Sequence, residues 1–372
     1  MAVYCNLSEI RRRRGIAAAQ LAQSIGVQRQ TIYAIEAGSY VPNTSVALHL
    51  ARVLEVSVEE LFRLPEEESP TLEQLEATVV SNTATAPESP VRLVRMDDQW
   101  LAFPTEATPS FLSDADGLVA VRPSRTGSTQ IRIAEAADST DDCLIIAGCD
   151  PALGLLAREV EREARQTVLP VSATSKEALQ WLHRGWVHVA GCHLKESQSA
   201  EFNLPTLRKM FGEEELVVVT FAEWEAGFVT APGNPLGLKE TGDLANPAVV
   251  MMNRESGSGS RSLLDSCLRK AGLHVRQLKG YYSIAAGHLA AVRAVSEGRA
   301  NCCVATSSAS RAFHLDFIPI RRERFDLVLR KQSVEIPGVR ALLEVLQRRS
   351  LRRKLEVLAG YDVTQTGSLR LH

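Results

Sequence analysis

The stretch PAVVMMNRESGSGSRSLLDSCLRKAG, Pro247 to Gly272, carries a strand, a loop and a helix in immediate succession. Val249 to Asn253 is a short apolar run of strand length, and Ser260 opens a helix. The loop between them offers backbone N–H groups, the hydroxyls of Ser256, Ser258 and Ser260, close backbone approach at Gly259, and the positive end of a helix dipole. These features suit an anion or another acceptor-rich ligand. Arg261 either adds charge there or points back along its own helix.

The same strand, turn and helix rhythm occurs upstream. DCLIIAGC precedes PALGLLAREVEREA, TVLPVSA precedes SKEALQWLHRG, and VHVAGCH follows; downstream, HLAAVRAVSEGRANCCVATSSA gives a further helix and strand. Buried strands alternating with helices of this length predict α/β architecture with parallel pairing. Two such series predict two lobes with a cleft between them over 141–372, and IPGVRALLEVLQRRSLRRKLEVLAG supplies closing helices for the first lobe. Thr174 and Ser175 make a second helix N-terminus, Asp150 follows the first strand, His193 ends VHVAGCH and His288 opens a helix. Taken singly, each reads equally well as a cap or a satisfied polar residue. Together, at strand ends facing one crevice, they form the candidate ligand set.

Ahead of this body, VRLVRMDDQWLAFP alternates apolar and polar residues about an Asp-Asp turn, so a small β unit is expected over 91–140. PEEESPTLEQLEATVVSNTATAPESP has linker composition, placed at 65–90, with a connecting helix over Thr71 to Ala77 as an option.

Residues 1–64 read differently. In AAAQLAQSIGVQRQTIYAIEAG, Ala18, Leu21, Ala22 and Ile25 form the inner stripe of one helix, Gly26 permits a tight turn, and Ile32 and Ile35 anchor the next helix. Gln28, Arg29, Gln30, Thr31 and Tyr33 are left at the outward N-terminal end, where amide and guanidinium groups match the major-groove edges of adenine and guanine. The run Arg11 to Arg14 is the candidate basic patch. From Leu7 to Phe62 the sequence resembles the Cro/phage-repressor, or XRE, helix-turn-helix family, through TIYAIEAGSYVPNTSVALHLARVLEVSVEELF. It departs from that family at Ala17 and Ala18, where a cap and a phosphate-contacting Gln are usual.

From Cys143 to Gly367 the chain resembles the periplasmic-binding-protein-like domains, type II and molybdate-binding-like, that stand behind such heads in cytoplasmic regulators. The resemblance rests on AGCDPALGLLA, VAGCHL, FNLP, APGNPLG, NRESGSGSRSLLD, GHLAAVRAVSEGRA, DFIP and AGYD. It implies a small-molecule effector rather than a cofactor, with an oxyanion such as molybdate, or a molybdenum-cofactor-related molecule, as the family's suggestion. IAAGH lacks the hydroxyls usual before the histidine, which points to a different ligand.

Other chemistries fit less well. Ser258, His288 and an Asp would make a nucleophilic triad, but SGSGS is not a Gly-x-Ser-x-Gly elbow. Gly257 and Gly259 begin a dinucleotide fingerprint that Ser262 breaks. His188 and Cys192 share one face of a strand while His193 points away, and Cys302 and Cys303 alternate, so no metal ligands are expected.

The chain has 372 residues, 45% of them hydrophobic and 23% charged, with net charge -2, which is ordinary globular composition without uniform basicity. Seven cysteines without paired spacing, no apolar run of membrane length and no signal segment in MAVYCNLSEI lead to the expectation of a soluble cytoplasmic protein with free thiols. The whole predicts a multidomain, ligand-responsive, one-component transcriptional regulator, non-enzymatic, working as a homodimer on a double-stranded DNA operator. The alternatives are an enzyme on the same two-lobed fold recruited to DNA, and a cytoplasmic ligand carrier.

Overall fold

A computed structural model describes residues 4–63, 74–81, 83–105, 114–133, 143–195, 201–358 and 360–371. The chain divides into two compact units, 1–73 and 74–372.

In the first unit β1 (Tyr4–Cys5) leads into α1 (Leu7–Arg13), α2 (Ala18–Ile25), α3 (Arg29–Glu36), α4 (Thr44–Leu54) and α5 (Val58–Leu61), and β2 (Phe62–Arg63) returns to pair with β1. Leu7, Leu21, Ile32, Ile35, Leu50, Leu54 and Leu61 fill the centre. Gly26, at φ +72°, ends α2 in the left-handed conformation that a side chain would resist. Ser57 and Glu60 close a capping box on α5, and Asn43 caps α4. The arginine run is not one patch. Arg11 is buried, paired through two nitrogens with Glu36 at 2.6 and 3.1 Å, and donates to the Ile16 carbonyl. Arg12, Arg13 and Arg14 are exposed, and of these Arg14 pairs with Glu55 at 3.3 Å.

The second unit opens with a closed five-stranded barrel. Its strands are β3 (Gln74–Val79), β4 (Pro90–Met96), β5 (Gln99–Pro104), β6 (Gly117–Val119) and β7 (Ser128–Ile133), in the order β3-β5-β4-β6-β7. The Asp97-Asp98 turn joins β4 and β5 as a hairpin, with Asp97 at φ +52°. The expected boundaries differ here. The stretch read as linker, 65–90, contains β3: Leu75, Ala77 and Val79 alternate with Gln74, Glu76 and Thr78, a period-2 pattern hidden in polar composition. The optional connecting helix is therefore a strand from Gln74 onward, because barrel closure gives that segment partners on both sides. Residues 64–73 of the linker region, and 134–140 of the β unit, lie outside the described residues. One set of barrel side chains faces inward, including Val91, Leu93 and Ile131. Val80, Val94, Leu101 and Phe103 instead join Ile145, Leu179 and Trp181 in the core of the first lobe, so the barrel is seated on the body.

The first lobe contains β8 (Leu144–Gly148), α6 (Leu153–Ala164), β9 (Val168–Ser172), α7 (Ser175–His183), β10 (Val189–Cys192) and α8 (Leu204–Phe211). β8 pairs in parallel with β9 and β10. β11 (Leu216–Thr230) then crosses to the second lobe, built from β12 (Met251–Arg254), α9 (Gly259–Lys270), β13 (Ile284–Ala285), α10 (Gly287–Ser296), β14 (Cys302–Thr306) and α11 (Ser307–Ala312). There β12 pairs in parallel with β13 and β14. β15 (Asp316–Arg330) runs back antiparallel along the whole of β11, from Thr230↔Asp316 to Leu216↔Arg330, with register shifts near Thr220 and Ala226. α12 (Pro337–Gln347) packs Val339, Leu342 and Leu346 into the core shared with Leu156 and Val160 of α6, as expected of a closing helix. α13 (Arg349–Leu358) follows, and β16 (Tyr361–Asp362) and β17 (Leu369–Leu371) pair with β11. The body is therefore one mixed ten-stranded sheet, order β13-β12-β14-β11-β15-β10-β8-β9, in which two long strands connect the lobes. Asp326, fully buried on β15, fixes that connection by accepting from Asn203, Thr220 and Arg370 at 2.8, 3.0 and 3.1 Å.

Candidate functional site

The strand ends of both lobes deliver polar side chains to one buried place. Cys149 and Asp150 follow β8, His193 follows β10, Trp224 lies mid-way along β11, Arg254 ends β12, Ser260 lies in the first turn of α9 and His288 lies in the first turn of α10; all are buried. The His193 ring meets Trp224 at a centroid distance of 4.8 Å and His288 at 6.0 Å, and Trp224 meets His288 at 5.7 Å. A crevice of about 260 Å³ opens beside them, lined from the first lobe by Cys149, Asp150 and Ser172 and from the second by Ala286, Gly287 and His288.

Several of these groups have buried atoms without a hydrogen bond of normal geometry: Arg254 Nη1, Ser260 Oγ and both ring nitrogens of His288, together with Asp150 Oδ2 and Trp224 Nε1, whose side chains face each other, and His193 Nε2, whose ring faces the Cys149 sulfur. Buried polar atoms are normally paired, since leaving one unpaired costs about 1 to 3 kcal/mol. Their concentration at one inter-lobe crevice identifies a place prepared to exchange hydrogen bonds with something that enters.

The electrostatics are mixed. Burial lifts the Asp150 carboxyl to about 6, against the opposing help of the Ala152 N–H at 2.8 Å and the Tyr361 hydroxyl at 2.9 Å. Burial also acts to lower the His193 imidazole, but the Cys149 sulfur and the Glu323 carboxylate outweigh it and raise it to about 10. His288 is pushed well below the usual histidine range by burial, with Arg254 and His193 adding to the effect. Arg254 is held against Glu255 through two 2.8 Å hydrogen bonds, and Glu255 also accepts the Gly287 N–H at 3.4 Å.

The Ser/Gly loop is built as predicted, but its side chains divide. Ser258 is the N-cap of α9: its oxygen accepts the Arg261 N–H at 3.2 Å and its hydroxyl donates to the Glu255 carbonyl at 2.9 Å. Ser256 is exposed. Arg261 points back along the helix, bonding Asp265, Tyr281 and the Arg254 carbonyl and stacking over the Tyr281 ring at 4.1 Å. Ser260 remains, with its hydroxyl unpartnered and buried. Gly257, at φ +93°, lies against α7: the Lys176 N–H donates to its carbonyl at 3.4 Å, and a Cβ there would meet Thr174 Oγ1 at 3.2 Å. Gly259 lies against His193, where a Cβ would come within 2.3 Å of the ring. So the loop of one lobe touches the other lobe directly. Thr174 forms a capping box with Glu177, and Ser175 Oγ accepts the His193 N–H at 3.1 Å. Both build the wall.

The family model for PBP superfamily domains matches residues 157–347, which is half of the chain. The chain belongs to the PBP superfamily. A helix-turn-helix family model matches 7–61, and over 61 residues this head is 39% identical to the uncharacterised HTH-type transcriptional regulator YgzD of Bacillus subtilis, covering 92% of it. This is therefore an XRE-type helix-turn-helix joined to a PBP-superfamily body. The uncharacterised Bacillus subtilis protein YvgK is 28% identical over 228 residues, 61% of this chain and 73% of its own length. Among solved structures, the sulfate-binding protein SubI from Mycobacterium tuberculosis H37Rv aligns over 59% of this chain and 86% of its own, with a TM-score of 0.43 and 12% identity.

In this PBP-superfamily chain, Cys149, Trp224, Arg254 and Glu323 are the site residues that sequence reading missed. Cys149 stands beside Asp150 and Arg254 beside the strand end read at Asn253, so a strand-end rule widened by one residue finds both. Trp224 and Glu323 lie inside strands and carry no local signal. In the head, Gln28 is the N-cap of α3, Gln28, Arg29, Gln30 and Tyr33 are exposed and Thr31 is half-buried. Arg29 donates to the Tyr33 hydroxyl at 2.6 Å and lies over its ring at 5.1 Å. Among the described residues, no helix is long and apolar enough to cross a membrane.

Proposed function

We propose that this chain is a one-component regulator whose head recognises an operator through Gln28, Arg29, Gln30, Thr31 and Tyr33, and whose cleft binds a small acceptor-rich ligand that controls the head. The observation that carries the proposal is the pair of unpartnered donors Arg254 Nη1 and Ser260 Oγ, buried behind the residues that line the inter-lobe crevice. They favour an acceptor-rich ligand, an oxyanion among them, because each can donate to oxygen; the charge of Arg254 itself is balanced by Glu255. The crevice volume, about 260 Å³, suits a small molecule. A ligand held by both lobes binds the closed form better and shifts the population by that difference alone. Pairing of two heads on a palindromic operator, with half-sites about 34 Å apart, would double the contacts a single short head can make.

The test is selection of DNA fragments by the full chain, followed by affinity measurement with and without whatever small molecule co-purifies in native mass spectrometry. Arg29→Ala or Gln30→Ala should cost about 1 to 3 kcal/mol at the selected site and little on random DNA. The co-purified ligand should change operator affinity by about 5- to 150-fold. Equal losses on all sequences would reduce the head to backbone binding. Turnover of the ligand by the full chain would replace the sensor reading with the enzymatic one.

A further inference from the structure

We propose that Cys149, His193 and His288 form a site for a thiophilic divalent cation of the zinc class, which ties one lobe to the other. Their ligand atoms lie within 4.8 Å of one another, and all three residues are buried. Tetrahedral zinc holds sulfur and nitrogen ligands roughly 3.5 Å apart, so about an ångström of side-chain adjustment completes the geometry. Cys149 and His193 come from the first lobe and His288 from the second. Bridging by a cation therefore opposes opening.

The unpartnered nitrogens support this assignment independently of the distances. Both nitrogens of His288 have no hydrogen-bond partner, and the contact of the His193 ring with the Cys149 sulfur leaves Nε2 without a bond of normal geometry, although each histidine is 1% exposed. A cation needs a deprotonated nitrogen on each ring: His288, held neutral by burial, already has one, and on His193 the cation displaces the proton otherwise held between Cys149 and Glu323. The other side of His193 is prepared as well. Its Nδ1 faces Glu323 Oε2 at 3.4 Å, and Glu323 is itself fully buried and held by Arg321 at 2.8 Å. A carboxylate behind a histidine fixes the tautomer that aims Nε2 at a metal and makes that nitrogen more basic. Gly259 makes room for the ring, since a Cβ there would come within 2.3 Å of it.

The ligand types select the cation. One thiolate and two imidazoles suit zinc, cobalt, nickel or copper, whereas calcium and magnesium require oxygen ligands. Three protein ligands leave a fourth position open, and Cys149 and His288 line the 260 Å³ crevice, so a donor atom from the crevice can complete the shell. The charge of Arg254 beside the site is offset by its paired contact with Glu255. A Cys149–His193 nucleophilic dyad is the competing use of two of these groups, but it leaves both nitrogens of His288 without a partner. The cation accounts for His288 as well. This inference goes beyond the regulatory reading and does not depend on which small molecule enters.

The experiment uses the full chain, stripped of metal by a chelator under reducing conditions and titrated with cobalt. The expected result is the intense visible absorption of tetrahedral cobalt with a near-ultraviolet thiolate charge-transfer band, saturating near one equivalent and bleached by zinc. Cys149→Ser should abolish the charge-transfer band, and His288→Ala should weaken binding by at least about 100-fold. Glu323→Gln, a positioning change, should keep the spectrum and weaken binding about 10- to 100-fold. Absence of the band in the unaltered, folded chain would overturn the site, and so would an unchanged spectrum in both Cys149→Ser and His288→Ala. Neither readout involves DNA, so failure of the site and failure of the regulatory reading are seen separately.

Discussion

Two serines only two positions apart in the Ser/Gly loop have separate tasks, and neither is visible from residue type. Ser258 accepts the Arg261 N–H to cap α9 and donates to the Glu255 carbonyl of the loop, while Ser260 has a buried hydroxyl that bonds nothing. Ser258→Ala should therefore cost about 0.5 to 2 kcal/mol of stability through loss of the cap. Ligand affinity in the folded fraction should hardly change. Ser260→Ala should leave stability nearly unaffected and weaken an anionic ligand by about 1.5 to 3 kcal/mol, the value of a hydrogen bond to a charged group. Thermal melts paired with calorimetric titration of the two variants check this, and the reverse pattern would assign the ligand contact to Ser258. The loop itself was legible because glycine and serine between a strand and a helix have few other uses. Which hydroxyl stays free depends on the φ of Ser258, at -78°, and on where the Glu255 carbonyl points, and both are set by the packed loop.

At the scale of elements, the recognition helix α3 is held from behind by one ion pair. Arg11 on α1 reaches Glu36 at the end of α3, with side chains 11% and 10% exposed. Removing Glu36 strips a part-buried guanidinium of its charged partner, so Glu36→Ala should destabilise the head by about 1.5 to 3 kcal/mol. Arg11→Met combined with Glu36→Leu should recover most of that loss. Calorimetry of the full chain would show it as a selective change in the unfolding of the head, and a loss below about 1 kcal/mol would class the pair as surface-like. The helices of this unit were readable from apolar spacing and from Gly26. The function of Arg11 was not, because four consecutive arginines look alike until helix packing turns one inward. Strand β3 was missed for a related reason: three small or aliphatic residues alternating with Gln, Glu and Thr have too little hydrophobic contrast to stand out, and barrel closure supplies the partners that make them a strand.

At the scale of the molecule, the barrel and the first lobe share a core, and His188 lies near that seam. Its Nδ1 accepts the Ile145 N–H at 3.0 Å, and burial holds the ring at about 4, below the unfolded value near 6.5. The unfolded chain thus binds this proton first as the pH falls, so the stabilising contribution is complete above about 6.5 and is lost progressively towards 4. Urea titrations followed by tryptophan fluorescence should show the second unit, which contains Trp100, Trp181, Trp186 and Trp224, weakening by about 1 to 3 kcal/mol across that interval. His188→Gln should flatten the dependence, and an unchanged slope would assign it elsewhere. The sequence by itself determined the kinds of units and their order, because periodicity of 2 or 3.6, capping residues and glycine turns are local properties that survive without tertiary context. It also located the crevice in outline, since strand ends and helix starts in an α/β lobe converge by topology. Only the tertiary structure decided which groups meet there. Cys149, His193 and His288 are far apart along the chain, and no spacing rule joins them; the parallel pairing of β8 with β10 brings the first two together, and the antiparallel course of β11 and β15 brings the second lobe, with His288, against them.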